Sequence, residues 1–269
     1  MPFHHENLDV YQQTLSFNAK VGVWTSQWDG KHAIRDQLAR AAESMLENIA
    51  MASAAYSAMK VRGLDYALGS SLECAACLDI AGIKRLLDEG TVSAGKVDLS
   101  QIFRMLVGLR KAWSSRVMTV REDEVEYNAE QCGIDKGCDK GDDKGGKMGM
   151  GGTILFHHEG LDVYRIALEV TAGFCGSEAV GLLSSTVFRR LDELVTSVVL
   201  NIAEGNGRFS DADQVRFLGT AHESAVKLAA RLDLCVAQEL LPQAEVARWK
   251  TLLHRVSAMV VAMSRGVEE

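Results

Sequence analysis

Phe3-His4-His5-Glu6-Asn7-Leu8-Asp9-Val10-Tyr11 recurs with a single change as Phe156-His157-His158-Glu159-Gly160-Leu161-Asp162-Val163-Tyr164. The separation, about 153 residues from Phe3 to Phe156, far exceeds that of solenoid repeats, so the repeated object is a whole domain with its own core. The chain of 269 residues therefore reads as one unit used twice. The spacing predicts copies over 1–130 and 153–269, joined by a linker over 131–152.

Working outward from the repeat, helical periodicity appears four times in each copy. Leu8, Tyr11, Leu15 and Ala19 form the first stripe, matched by Leu161, Tyr164, Leu168 and Ala172. A second helix is expected from about Asp29 to Met59, with Leu38, Met45 and Ile49 on one face and Leu191, Val198 and Ile202 as counterparts. The third is expected over about Leu64 to Asp88 and again over Gln214 to Leu240. The fourth carries Ile102, Leu106, Leu109, Trp113 and Val117, then Val246, Trp249, Leu253, Val256 and Val260. Gly90 and the following Thr-Val-Ser-Ala-Gly stretch read as the break between helices three and four, and Pro242-Gln243 marks the same junction in the second copy. Only two prolines occur, and Ala, Leu, Val, Glu and Arg dominate outside the linker. The expectation is an all-α fold of two tandem up-down four-helix bundles.

Between the copies, Asp135-Lys136-Gly137-Cys138-Asp139-Lys140-Gly141-Asp142-Asp143-Lys144-Gly145-Gly146-Lys147 has alternating charge and no apolar stripe. Such a tract reads as a flexible tether.

The net charge of −7, with acidic residues outnumbering basic ones in both copies, excludes a whole-domain basic footprint for nucleic acid. No apolar run of the roughly 18 residues a membrane span needs is evident, and no secretory leader opens the chain. A cytoplasmic protein without a membrane partner is the expectation. Six cysteines fit that compartment as free thiols, with Cys74, Cys77, Cys175 and Cys235 in apolar helical segments and Cys132 and Cys138 in the linker.

Two motifs carry a family resemblance. Ser197-Val198-Val199-Leu200-Asn201-Ile202-Ala203-Glu204-Gly205-Asn206-Gly207-Arg208 resembles the Asn-Ile-Ala-Glu-Gly-x-x-Arg signature of the four-helix-bundle proteins encoded in ribosomal-RNA intervening sequences, a family that includes the accessory variability determinant of diversity-generating retroelements. Ala67-Leu68-Gly69-Ser70-Ser71-Leu72-Glu73 resembles its third-helix Ala-x-Gly-Ser-x-x-Glu pattern, and Leu-Asp-Val-Tyr resembles its first-helix entry. The resemblance implies a bundle that self-associates into a ring-like homo-oligomer, with the two copies here packing as a pseudo-dimer. In the retroelement branch it implies contact with a reverse transcriptase and with RNA or DNA. It implies an adaptor with no cofactor and no catalytic residues.

Each copy departs from the pattern where the other keeps it. Copy one keeps Asn48-Ile49-Ala50 but has Met51 and Ala52 in place of Glu204 and Gly205. Copy two keeps Ala221 and Ser224 but carries Lys227 where copy one has Glu73. Such a charge reversal fits copies that face different partners, including each other, and equally fits drift after duplication.

His4-His5-Glu6 and its repeat contain good metal ligands, but adjacent side chains diverge on a helix and no i+3 histidine follows. A helix-entry role for Glu6 and Glu159 at the positive dipole end is the plainer reading. Cys74-Ala75-Ala76-Cys77 has redox or zinc spacing but lies mid-helix without a second pair, and so reads as core. The candidate contact residues are Asn201, Glu204 and Arg208 in the second-helix motif, Ser70, Glu73 and Lys227 on the third helices, and Arg104, Arg110, Lys111 and Arg116 on helix four. The expected function is a non-enzymatic oligomeric accessory or scaffold protein, with a purely protein-binding assembly module as the alternative. A metal enzyme of the bundle type would need Glu-x-x-His pairs, and none occurs.

Overall fold

A computed structural model describes residues 4–54, 58–118, 155–208 and 210–268. The linker expected over 131–152, with Cys132 and Cys138, lies outside the described residues. Within them the fold is all-α: α1 (Asp9–Ser26), α2 (Ala33–Ala54), α3 (Ala58–Ile83), α4 (Glu89–Met118), α5 (Asp162–Gly176), the short α6 (Glu178–Gly181), α7 (Ser185–Asn206), α8 (Asp211–Ala237) and α9 (Gln243–Glu268). A 3₁₀ turn precedes α1 at His4–Asn7 and another precedes α5 at His157–Gly160.

In the first half α1 packs on α2, α2 on α3, α3 on α4, and α4 closes back on α1. In the second half α5, α7, α8 and α9 repeat that circuit. Positions correspond at the offset set by Asn48 and Asn201 through the second helix, and by Ser70 and Ser224 from the third onward. The cores match accordingly: Leu38, Met45 and Ile49 are buried in one bundle, Leu191, Val198 and Ile202 in the other.

The helix boundaries correct the sequence reading in one informative place. Gly90 and the Thr-Val-Ser-Ala-Gly stretch do not separate helices three and four, because α4 starts at Glu89 and runs through them. Asp88 starts it, its carboxylate accepting from the Thr91 backbone N–H at 2.9 Å and from the Thr91 hydroxyl at 2.6 Å. The break lies just before, where Arg85 adopts φ 55° and the Leu86 N–H returns to the Ala81 carbonyl at 2.9 Å. The second copy uses the same stop: Glu239 has φ 58° and the Leu240 N–H reaches the Cys235 carbonyl at 2.8 Å. Both stops place a long side chain where glycine is usual. Helix two starts later than expected, at Ala33, and Ala58 and Met59 belong to α3.

Helix α3 is the exception to amphipathicity. Contrary to the sequence expectation, Met59–Ile83 is apolar enough over 25 residues to match a membrane span by length and composition. Its surroundings explain that: α3 packs against α2 and α4 on one side and against α7 and α5 of the second bundle on the other. A helix covered on both faces is apolar all round. Cys74 and Cys77 lie in this core, and burial pushes both thiols well above their ordinary range.

Glu239→Gly relieves the left-handed strain at the α8 stop without touching the core. It is expected to raise stability by about 1 kcal/mol, read from urea unfolding midpoints.

Candidate docking interface between the two bundles

The functional geometry lies where α3 meets α7. Lys84, at the end of α3, donates its ammonium to the Asp192 carboxylate of α7, and the two side chains are only 2% and 0% exposed. Asp192 also accepts the Ala33 backbone N–H at 2.9 Å, so a carboxylate of one bundle caps the α2 N-terminus of the other. The Thr196 hydroxyl stands 3.4 Å from the same ammonium. His32 closes the cluster edge-on to Phe188, and burial together with Lys84 holds its pKa below the usual histidine value. Sequence reasoning passed over both members of the ion pair. A signal existed: Asp192 aligns with Ala39 and Lys84 with Gln238, so both charges occur only where this contact needs them.

At the far end of α7, the retained signature meets the retained third-helix motif. Arg208 is bonded to Glu204 within its own helix end, and its guanidinium lies over Phe217 at 4.5 Å and toward Tyr66 of α3 at 5.9 Å. Gly69 makes room for it, since a Cβ there would stand 2.8 Å from the guanidinium carbon. Gly207 makes room for Leu72 in turn, since a Cβ there would come within 1.8 Å of the Leu72 Cδ1. Both glycines serve close approach between the bundles. Glu73 faces this cluster. Burial first, then the Glu204 charge, pushes its pKa up to about 7, partly offset by Arg40 and Arg208.

The third contact seats the second copy's helix entry on the first bundle. Lys96 of α4 pairs with Asp79 of α3 at 2.6 Å and with Glu159 at 2.7 Å, and the Tyr164 hydroxyl donates to Asp79 at 2.8 Å. His158 lies between Phe156, stacked at 5.9 Å, and Tyr164, edge-on at 4.7 Å. Burial holds its pKa down to about 3, so it is neutral. Asp79, His158 and Glu159 sit close enough to one another for a metal ion, but the Lys96 ammonium already bridges the two carboxylates. That bridging accounts for the charge without a metal.

The other candidate residues serve different ends. Asn201 donates to the Ser197 carbonyl and hydroxyl, and Ser197 meets Ser224 at 2.9 Å. Asn48, Ser44 and Ser70 build the same latch in the first bundle. These residues tie the second helix to the third within each copy. Lys227 is exposed and pairs with Glu223 at 3.1 Å along its own helix. Arg110 is tied to Asp65, Arg104 and Lys111 are solvent-exposed on α4, and the Arg116 side chain lies outside the described residues.

Asp192→Ala leaves the Lys84 ammonium buried without its counter-charge and uncaps α2. A loss of about 3–5 kcal/mol is expected on chemical denaturation, with Lys84→Met/Asp192→Leu losing far less. Glu73→Gln tests the raised carboxyl pKa. The folded chain favours neutral Glu73, so its ionisation costs nothing below about pH 4.5 and progressively more as pH rises through about 7. The variant should therefore match the parent near pH 4.5 and exceed it by on the order of 2–3 kcal/mol above pH 7.5, measured as unfolding free energy against pH.

A family model described as 23S rRNA-intervening sequence protein matches residues 6–108 and, a second time, residues 168–262. No curated protein and no solved structure gives a match.

Proposed function

Because the chain belongs to the 23S rRNA-intervening sequence protein family, and does so once in each half, we propose that it is a non-enzymatic accessory protein whose two bundles form one docking body for a protein partner. The observation that supports this reading is the use made of the signature side chains. Glu204, Arg208 and Glu73 are turned into the contact between bundles rather than toward solvent. Several groups suited to proton or electron transfer among the described residues are likewise committed. The Cys74 and Cys77 thiols are core, Lys96 neutralises Asp79 and Glu159, and Glu73 faces Glu204, Arg40 and Arg208.

Charge argues for a protein partner over nucleic acid. The chain carries −7, and among the basic residues singled out on α4, Arg110 is neutralised by Asp65. Binding of the full-length chain to a structured RNA hairpin and to duplex DNA is expected to stay at the non-specific level at low salt, measured by fluorescence anisotropy. Tight binding that falls steeply with added salt would overturn the protein-partner reading in favour of a nucleic-acid adaptor.

A further inference from the structure

The contact between the bundles is head-to-tail. The second bundle offers α5 and α7, and the first receives them on α3 and at the start of α2, where Ala33 meets Asp192, while α8 makes no comparable contact with α1 or α2 among the described residues. A contact of this kind does not satisfy itself: each unit keeps a second face of each type, and identical units would add further copies into a ring or filament. Here the two outward faces are the α8 surface, equivalent to the receiving α3, and the α2 surface, equivalent to the docking α7.

Neither outward face retains the charged groups of the first two inward contacts, although on α8 the apolar positions persist as Val226, equivalent to Leu72, and Leu234, equivalent to Ile80. On α8, Glu223 replaces Gly69, placing a side chain in the seat of the Arg208 guanidinium. Lys227 replaces Glu73, Thr220 replaces Tyr66 and Gln238 replaces Lys84. Glu223 and Lys227 are exposed and satisfy one another at 3.1 Å, so hydrated charge flanks the exposed Val226 and Leu234 on that face. On α2, Ala39 replaces Asp192, so no carboxylate is available to cap the next unit or to meet a buried lysine. Met51 replaces Glu204, and Ala54 replaces Gly207, the position where a Cβ would come within 1.8 Å of Leu72 in the inward contact. The third contact alone keeps its residue types outward, as Asp233 and Lys250 on one side and Glu6 and Tyr11 on the other. Asp233 and Lys250 pair with each other at 2.6 Å while remaining exposed, at 58% and 38%. Exposed pairs of this kind contribute little to association.

We propose that the fused pair is a terminated assembly: head-to-tail docking occurs once, inside the chain, and both outward faces are altered so that no further copy adds through it. Every charged group specific to docking, the Lys84–Asp192 pair and the Glu73, Glu204 and Arg208 set, occurs only on the inward faces. Loss on either outward face would suffice to stop head-to-tail addition, and here both are altered. Closure concerns how far docking extends and is independent of which partner the protein meets.

Sedimentation velocity of the full-length chain from low to high micromolar concentration tests this. The expected result is the single-chain mass of 29.3 kDa throughout. If the chain assembles, Glu223→Trp at the centre of the α8 surface decides the cause. Assembly dissolved by E223W overturns the proposal, whereas assembly untouched by it uses another surface and leaves closure of this interface supported. A second variant restores the inward residues on both outward faces: Thr220→Tyr, Glu223→Gly, Lys227→Glu and Gln238→Lys on one, with Ala39→Asp, Met51→Glu and Ala54→Gly on the other. If it folds by circular dichroism, concentration-dependent growth beyond one chain is expected. A folded variant that stays at single-chain mass would show that these residues do not close the assembly.

Discussion

The Lys84–Asp192 ion pair is the constraint on which the relation of the two bundles depends. Both side chains are essentially without solvent, and the burial of either charge alone would carry a penalty of several kcal/mol. Each charge is made tolerable by the other, and Asp192 gains the Ala33 N–H besides. Separating the bundles therefore means rehydrating two ions and uncapping a helix at once. The pair also restricts geometry, because a small sliding of α7 along α3 would strand both charges in an apolar setting. Repulsion from wrong arrangements, as much as attraction in the right one, holds the register.

Around this anchor the remaining contacts divide by type. The signature cluster supplies shape: Gly69 admits a guanidinium and Gly207 admits Leu72, so backbones approach where any side chain would hold them apart. The Asp79–Lys96–Glu159 cluster supplies a semi-buried charge bridge that seats the second copy's entry turn on the first bundle. Burial raises the pKa of the Glu73 carboxyl, as it also raises those of Asp79 and Glu204. At Glu73, burial and the Glu204 charge favour the protonated form, Arg40 and Arg208 favour the carboxylate, and with a pKa pushed up to about 7 this carboxyl at the boundary between the bundles titrates near neutral pH. The resulting interface is made of parts that neither copy has in full.

Much of this was legible in the residues. The nine-residue repeat and four apolar stripes per copy dictate paired helical bundles, because a 3.6-residue period buries a stripe only against other helices. The divided motifs were also visible, as was the Glu-to-Lys exchange at Glu73 and Lys227. The α3–α4 break was misplaced because glycines at Gly90 and Gly95 resemble a stop, whereas the real stop uses Arg85 in a left-handed conformation that no residue type announces. The apolar character of α3 records burial by a second bundle distant in sequence, which no local periodicity announces.

By itself, then, the sequence determined the class of fold, the duplication, and the residues in which the copies differ. These follow from local periodicity and identity, which do not depend on where the halves lie. Only the tertiary structure decided what the differences do. The same Glu204 and Arg208 could end a helix locally or build an interface, and the same Asp192 could be a surface charge or a buried anchor. The choice depends on desolvation by residues of the other copy, and water is removed only when the two bundles meet.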